Sequence, residues 1–216
     1  MEKKRNIRKG TGESRRGKET VLLILDSAKS IFIEEGYSNL SMRKVSVRAQ
    51  ISVGNLQYYY PNKNDLLKDL LDHSIDEFML EFERLRLDVN DDPELHLVSI
   101  IKLIVLDLGN PTTTKFYPEL WALANHDDYA DTLMDRIYAR VRCPLENCVA
   151  RLNPALSTEQ VQKVALFISA SMEGMTMFVG HGKVWNDSIK QLANITITSS
   201  IQLVKNITPQ DIERDL

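Results

Sequence analysis

The sequence predicts an all-α protein of about nine helices, and three observations support this fold class. Apolar residues recur at intervals of three and four along most of the chain beyond residue 18. Helix-capping residues and glycine or proline stop signals separate these amphipathic stretches. The 216 residues are 43% hydrophobic and 26% charged, which is an ordinary globular composition. We therefore expect helices packed on one another in one or two small domains.

The first 17 residues differ from the rest of the chain because they are basic and lack apolar periodicity. We expect them to form a flexible basic arm. Residues 1–68 contain 14 basic and 7 acidic residues, whereas the remainder contains 13 basic and 23 acidic residues. A basic N-terminal part followed by an acidic remainder suggests a polyanionic partner. Chance variation of charge along the chain is the open alternative.

Clear cap and stop residues separate the N-terminal helices. A first helix with a continuous apolar face runs to Gly36, which accepts the left-handed conformation of a helix C-cap. Ser41 is predicted to cap a second helix over residues 42–49, and Ser52 a third. Pro61 limits the third helix because it disfavours helical geometry at the residue before it. Two short helices joined by a turn of about three residues predict a helix-turn-helix.

The third helix lies in the stretch ISVGNLQYYYPNK, and its side chains suit a DNA groove. Its predicted core contacts are Ile51, Leu56 and Tyr60. Amides pair with adenine edges in the major groove, and tyrosine hydroxyls reach phosphates. The positions predicted to face outward are Val53, Gly54, Asn55, Gln57, Tyr58 and Tyr59. One tyrosine is therefore expected in the core and two as contacts, with packing against the fourth helix as the alternative for those two.

Residues 19–70 resemble the DNA-binding domain of the TetR family of transcriptional regulators. The resemblance rests on the stretch ILDSAKSIFIEEGYSNLSMRKVSVRAQISVGNLQYYYPNKNDLL, above all on its VGNLxYYxPxKxxLL block. A fainter similarity to the choline-responsive BetI regulators lies around Trp121 and Met172. The resemblance implies a sequence-specific, ligand-responsive regulator, and most simply a repressor released from its operator by a small-molecule effector.

The resemblance also implies individual DNA contacts. Tyr59 and Lys63 match phosphate contacts, and Arg43 matches a base or phosphate contact. Gln50 replaces the glycine common in the turn, so a non-glycine residue must adopt that backbone. A solvated Lys63, and an Arg43 paired with an acid of the first helix, are the alternatives. The implied contacts are Ser41, Arg43, Ser52, Val53, Gly54, Asn55, Gln57, Tyr58, Tyr59 and Lys63.

A domain layout and a set of partners follow from the same resemblance. Residues 1–17 form the arm, 18–62 the helix-turn-helix domain, and 63–216 a helical effector-binding and dimerisation domain, with helix 63–86 connecting the two. The expected partners are double-stranded DNA with an inverted-repeat operator, a second copy of the chain bound through the last two helices, and an unknown small-molecule effector. The alternative is a nucleoid-type or constitutive DNA-binding protein without an effector.

Five residues are candidates for the effector pocket: Tyr117, Trp121, Met172, Met175 and Phe178. Tyr117 and Trp121 are four apart and share a helix face, with acidic residues close along the chain. Aromatic rings near carboxylates suit a cation, whereas flexible methionines suit an apolar or amphipathic ligand. The apolar class is preferred, and plain core or interface packing is open for each residue.

The remaining sequence favours a protein that is not an enzyme. The four histidines are scattered, no metal-ligand spacing or glycine-rich phosphate loop is found, and no serine has a nucleophile-elbow context. We therefore expect no catalytic residue, metal or cofactor. Cys143 and Cys148 are expected to be reduced thiols. Without a signal peptide or an apolar run of membrane length, the expected location is the cytoplasm, with no membrane partner.

Overall fold

The computed structural model describes residues 14–86 and 92–214, and the side chains of residues 14–80 and 92–214. These residues form ten α-helices and no strand, so the predicted all-α class is confirmed. Single 3₁₀ turns lie at Tyr37–Asn39 and Asn186–Ser188. The helices are α1 (Arg15–Glu35), α2 (Met42–Arg48), α3 (Val53–Tyr59), α4 (Lys63–Arg86), α5 (Pro93–Asp107), α6 (Pro111–Ala124), α7 (Asp128–Leu152), α8 (Thr158–Met175), α9 (Ile189–Asn206) and α10 (Pro209–Ile212).

Helix α1 begins at Arg15, within the stretch predicted to be the flexible arm. The Ser14 hydroxyl accepts a hydrogen bond of 3.1 Å from the Gly17 amide, which caps the first turn, and Gly17 is buried. The end of the predicted arm, residues 15–17, is therefore helical. The rest of the arm, residues 1–13, lies outside the described residues.

The C-terminal part of the chain contains one helix more than expected. Helix α8 ends at Met175, ahead of Gly180 and Gly182. Helix α10 was not predicted, although Thr208 and Asp211 form a capping box around a proline at the first helical position. No single described helix is long and apolar enough to cross a membrane; α5 and α6 pass that test only as a pair, and they are bent by 89°.

The described residues divide into two compact units. One contains the residues up to Met79 together with Lys115–Met134, and the other contains Leu80–Thr114 together with residues from Asp135 onward. The helix-turn-helix thus shares a compact unit with most of α4 and α6. The predicted functional division at residues 62 and 63 remains a prediction.

The first unit has a core built around α1. Helix α1 packs on α2, which packs on α3. Ile24, Leu25 and Phe32 are fully buried, and each such side chain contributes about 1.5–3 kcal/mol by leaving water. The Phe32 ring lies 5.3 Å from the Phe116 ring of α6. This core holds the two short helices, α2 and α3, in place beside the long helix α1.

The second unit is organised by α5 and α9, which pack along each other, with α8 in contact with both. Ser157 and Gln160 form a capping box at the start of α8. The buried amide of Asn153 donates to the carbonyl oxygens of Val204 at 2.7 Å and Ile207 at 2.9 Å. Asn153 thereby ties the end of α7 to the end of α9 and satisfies carbonyls that the helix leaves free.

Candidate nucleic-acid interface

Hydroxyl caps and one unusual backbone conformation set the geometry of the helix-turn-helix. Ser41 accepts a hydrogen bond of 3.3 Å from the Lys44 amide, and Ser52 accepts one of 3.0 Å from the Asn55 amide. Gln50, in the turn between them, has a φ of +54° and is the only described non-glycine residue with positive φ. The expectation that a non-glycine must adopt the left-handed turn is therefore confirmed.

Helix α3 presents a polar face opposite a buried one. Leu56 and Tyr60 are fully buried, and the Tyr60 hydroxyl donates to Asp69 Oδ2 at 2.7 Å. The buried hydrogen bond anchors the end of α3 to α4 and satisfies the phenol. The residues on the exposed face are Ser52, Val53, Gly54, Asn55, Gln57 and Tyr58. An exposed row of amide and phenol groups on a short capped helix has the chemistry for reading a major groove.

The outward placement predicted for Tyr59 is wrong. Its side chain is only 8% exposed, whereas that of Tyr58 is 51% exposed. Tyr59 follows Leu56 by three positions and so lies on the same, buried face of α3. The two tyrosine rings meet edge to face, 5.2 Å apart. Ile51, predicted as a core contact, is only half-buried.

Lys63, at the start of α4, is held against Tyr37. Its ammonium donates to the Tyr37 carbonyl at 3.4 Å and lies 4.0 Å from the centre of the Tyr37 ring. Burial lowers the pKa of Lys63 below its usual value. The alternative of a fully solvated lysine is therefore wrong, because the side chain is half-buried and fixed by a cation–π contact.

Two basic side chains of α2 are paired with acids of α1. Lys44 Nζ lies 2.6 Å from Glu35 Oε2, and an Arg48 nitrogen lies 2.7 Å from Glu34 Oε2. The Arg48 hydrogen bond, followed by one from Ser30, lowers the pKa of Glu34. Arg43 is exposed and makes no ion pair with another described residue. The pairing with an acid of the first helix, which was the alternative for Arg43, is made instead by Lys44 and Arg48.

The candidate effector residues are distributed over both units. In the first unit, the Tyr117 ring lies 5.7 Å from the rings of Phe78 and Phe116, and Trp121 is half-buried. In the second unit, Met172 is fully buried and Met175 is half-buried. Phe178 follows the end of α8 and is 68% exposed in the single chain, and its place in an effector pocket remains a prediction.

Glu173 of α8 was not among the site residues predicted from the sequence. It is the only charged residue between positions 164 and 179, and this isolation in an apolar stretch was the signal available. Burial raises the pKa of Glu173 to about 7, and a hydrogen bond from Tyr138 opposes that rise. Glu173 is half-buried, and a desolvated carboxyl group with such a pKa on a helix of the second unit is a candidate for a functional site.

The fold and the capped two-helix motif define a helix-turn-helix protein, and comparison with known families narrows the class. A model of the TetR family of bacterial regulatory proteins matches residues 24–70. A model of the C-terminal part of BetI-type transcriptional repressors matches residues 96–199. Together these matches cover most of the chain. The chain belongs to the TetR family of transcriptional regulators.

Individual relatives support the same class. An HTH-type transcriptional regulator of Staphylococcus aureus (strain bovine RF122 / ET3-1) is 28% identical over 89 residues, which are 41% of this chain and 48% of that protein. A second, from strain USA300, is 28% identical over 93 residues, which are 43% of this chain and 50% of that protein. The chain spans about half the length of the curated relatives it matches.

Solved structures share the fold at low sequence identity. A putative transcriptional regulator from Saccharomonospora viridis in complex with choline has a TM-score of 0.70 and 20% identity, over 84% of this chain and 96% of that one. A putative TetR-family regulator from Rhodococcus sp. has a TM-score of 0.69 and 17% identity, over 87% of this chain and 100% of that one.

Proposed function

We propose that this protein is a cytoplasmic, ligand-responsive regulator that binds an inverted-repeat operator as a homodimer and represses transcription. The observation that carries this proposal is the exposed face of α3, where Asn55, Gln57 and Tyr58 are displayed on a helix that Leu56 and Tyr60 anchor to the core. A rigid helix with exposed amides is what direct base reading requires. The family matches at residues 24–70 support the same role.

The test of DNA binding is footprinting on DNA from the genomic neighbourhood of the coding gene. A repressor of this kind protects two half-sites whose centres are about 34–36 Å apart, because its two recognition helices enter successive major grooves. Fluorescence anisotropy with the protected sequence and a scrambled one then measures the preference of the protein for its operator. Equal affinity and equal salt dependence on both sequences would favour a nucleoid-type DNA-binding protein instead.

The second unit offers a surface for a second copy of the chain. Large apolar side chains on α8 are exposed, including Leu166 and Phe167, the latter 62% exposed. Small residues lie beside them, and a side-chain carbon added at Gly174 would meet nothing within 4 Å. Exposed apolar side chains flanking small residues on one helix are typical of a close helix–helix interface. Together with the family assignment, this surface supports dimerisation through α8 and α9.

An effector that carries a positive charge is supported by two observations. Glu173 supplies a half-buried, desolvated carboxyl group, and the Saccharomonospora viridis protein of the same fold was solved with choline. We therefore place a cationic effector ahead of the apolar one preferred from sequence. A desolvated carboxylate beside an aromatic side chain, here Tyr138 of the same unit, can contact an ammonium group.

Thermal melting against a panel of ligands tests the effector class. The panel contains choline and polyamines as cations, and fatty acids as apolar ligands. A ligand at 100 times its dissociation constant adds about 2.7 kcal/mol to the free energy of unfolding. We expect the melting temperature to rise with a cation, and Glu173→Gln to abolish that rise. A rise with fatty acids alone would overturn the cationic assignment and leave DNA binding untouched.

A further inference from the structure

A carboxylate of α6 holds the backbone of the helix-turn-helix. Glu119 Oε2 accepts a hydrogen bond of 3.0 Å from the Tyr37 amide, and the two residues are 82 positions apart in the chain. Tyr37 begins the 3₁₀ turn that leads from α1 into α2. A hydrogen bond to a charged acceptor is about twice as strong as a neutral one. The contact therefore fixes the turn that joins the first helix to the helix-turn-helix.

Gly36 makes room for this carboxylate. A side-chain carbon at position 36 would lie 3.2 Å from Glu119 Oε2 and 3.3 Å from Oε1, closer than ordinary contact. Gly36 also has a φ of +81°, which side-chain-bearing residues rarely adopt. Glycine at this position thus serves the approach of Glu119 as well as the end of α1.

The same tyrosine holds Lys63, the residue whose position matches a phosphate contact. Lys63 donates to the Tyr37 carbonyl at 3.4 Å, and its ammonium lies 4.0 Å from the ring centre. Tyr37 is therefore bound from both sides: its amide by Glu119 and its carbonyl and ring by Lys63. Any shift of Tyr37 moves the group that positions the Lys63 ammonium.

Aromatic packing places Glu119 for this role. Phe116, three residues before Glu119 on α6, packs against Phe32 of α1, with the two ring centres 5.3 Å apart. Positions three apart lie on one side of a helix, so the ring and the carboxylate approach α1 and its end together. The carboxylate is consequently set by packing before any DNA is bound, which is what makes a positioning contact effective.

We propose that Glu119 is a positioning residue for DNA binding, which holds Tyr37 so that the Lys63 ammonium meets a backbone phosphate. This inference rests on the proposed DNA-binding function. The role is separate from base reading, because none of the three residues lies on α3. It predicts that loss of Glu119 weakens specific and random DNA binding alike, through Lys63.

The test is a double-mutant cycle on the full chain, read by fluorescence anisotropy on operator and scrambled DNA. Glu119→Ala should weaken both affinities by roughly three- to tenfold and lower the salt slope by about one unit per protomer, because one phosphate contact is lost. In a Lys63→Ala background, Glu119→Ala should have no further effect. Glu77→Ala is the matched control, since Glu77 pairs at 2.8 Å with Lys29 and does not contact Tyr37.

Two conservative variants separate positioning from folding. Glu119→Gln keeps an oxygen acceptor at the same reach and should retain most of the wild-type affinity. Glu119→Asp keeps the charge but withdraws it by one methylene, and should behave like Glu119→Ala even when thermal melting shows an intact fold. An equal loss of affinity with and without Lys63, or full affinity in Glu119→Asp, would overturn the inference. Absence of DNA binding in the wild type would instead overturn the proposed function.

Discussion

At the scale of single residues, α3 separates the side chains proposed to read DNA from the side chains that hold the helix. Gln57 is exposed, whereas its neighbour Leu56 is fully buried. Tyr58 and Tyr59 are adjacent, yet only Tyr58 is available to a partner. Substitutions at exposed positions of this helix should therefore change DNA preference without changing stability.

Gln57→Ala is expected to relax discrimination at one base pair of the operator. A bidentate contact between an amide and adenine is worth about 1–3 kcal/mol of discrimination, and this term disappears with the side chain. The measurement is the affinity for operator variants that change one position at a time. Gln210→Ala, at an exposed glutamine of α10, is the control. An unchanged preference at every operator position would show that Gln57 does not face the bases.

At the scale of elements, the start of α1 joins the basic arm to the folded chain. Ser14 caps the helix, and Gly17 is buried in its first turn. A deletion that reaches residue 17 therefore removes a cap and a buried turn together with the charges. Loss of such a cap costs about 1 kcal/mol.

Deleting residues 1–13 should lower DNA affinity and leave the melting temperature unchanged. The deleted stretch carries five basic residues and two acidic ones, and basic arms bind phosphates or the minor groove. Deleting residues 1–17 should lower the affinity further and also reduce the melting temperature. Both shortened proteins are compared with the full chain by fluorescence anisotropy and thermal melting. Equal affinity of all three at low salt would show that the arm does not contact DNA.

The free energy of unfolding is expected to depend on pH through Glu173 of α8. Burial raises the pKa of Glu173 to about 7, so the folded protein keeps the proton that the unfolded chain loses near its usual pKa. The stability contributed by the protonated group is present in full at low pH and is lost as the pH rises through about 7.

Glu173→Gln should therefore raise the free energy of unfolding at about pH 8, by roughly 1–3 kcal/mol, and have little effect near pH 4. The glutamine stays neutral at every pH and removes the cost of burying a charge. Urea titrations across this pH range measure the difference. Glu77→Gln, at an exposed glutamate, is expected to show no such rise. A difference that does not depend on pH would exclude Glu173 as the titrating group.

At the scale of the whole molecule, the proposed binding to an inverted-repeat operator requires two recognition helices, and one chain supplies one. Helix α8 exposes large apolar side chains, such as Leu166 and Phe167, and their contact with water is unfavourable in a monomer. The dimer should therefore be the DNA-binding species, and its dissociation should abolish operator binding.

Phe167→Glu is expected to convert the dimer to monomers without unfolding the chain. The side chain is 62% exposed in the single protomer, so the charge meets water there but would be buried in the interface. Analytical ultracentrifugation and circular dichroism measure the two effects. Leu95→Glu, at an exposed leucine of α5, is the control. A variant that remains dimeric would place the interface elsewhere.

Much of the candidate site could be predicted from the sequence. The caps at Ser41 and Ser52 were predicted because a cap depends on residues two or three positions away. The left-handed conformation of Gln50 was implied by the family resemblance, because glycine is common at that position of the turn. Tyr59 was misplaced because the apolar period of a seven-residue helix is too short to separate a buried edge from an exposed one.

The sequence by itself determined the helices, their caps and the helix-turn-helix, since these arise from interactions among near neighbours along the chain. Only the tertiary structure decided which tyrosine is buried, that Lys63 rests on Tyr37, and that Glu119 holds Tyr37. The last two contacts join residues 26 and 82 positions apart. Such pairs depend on how helices pack, and neither periodicity nor capping specifies that packing.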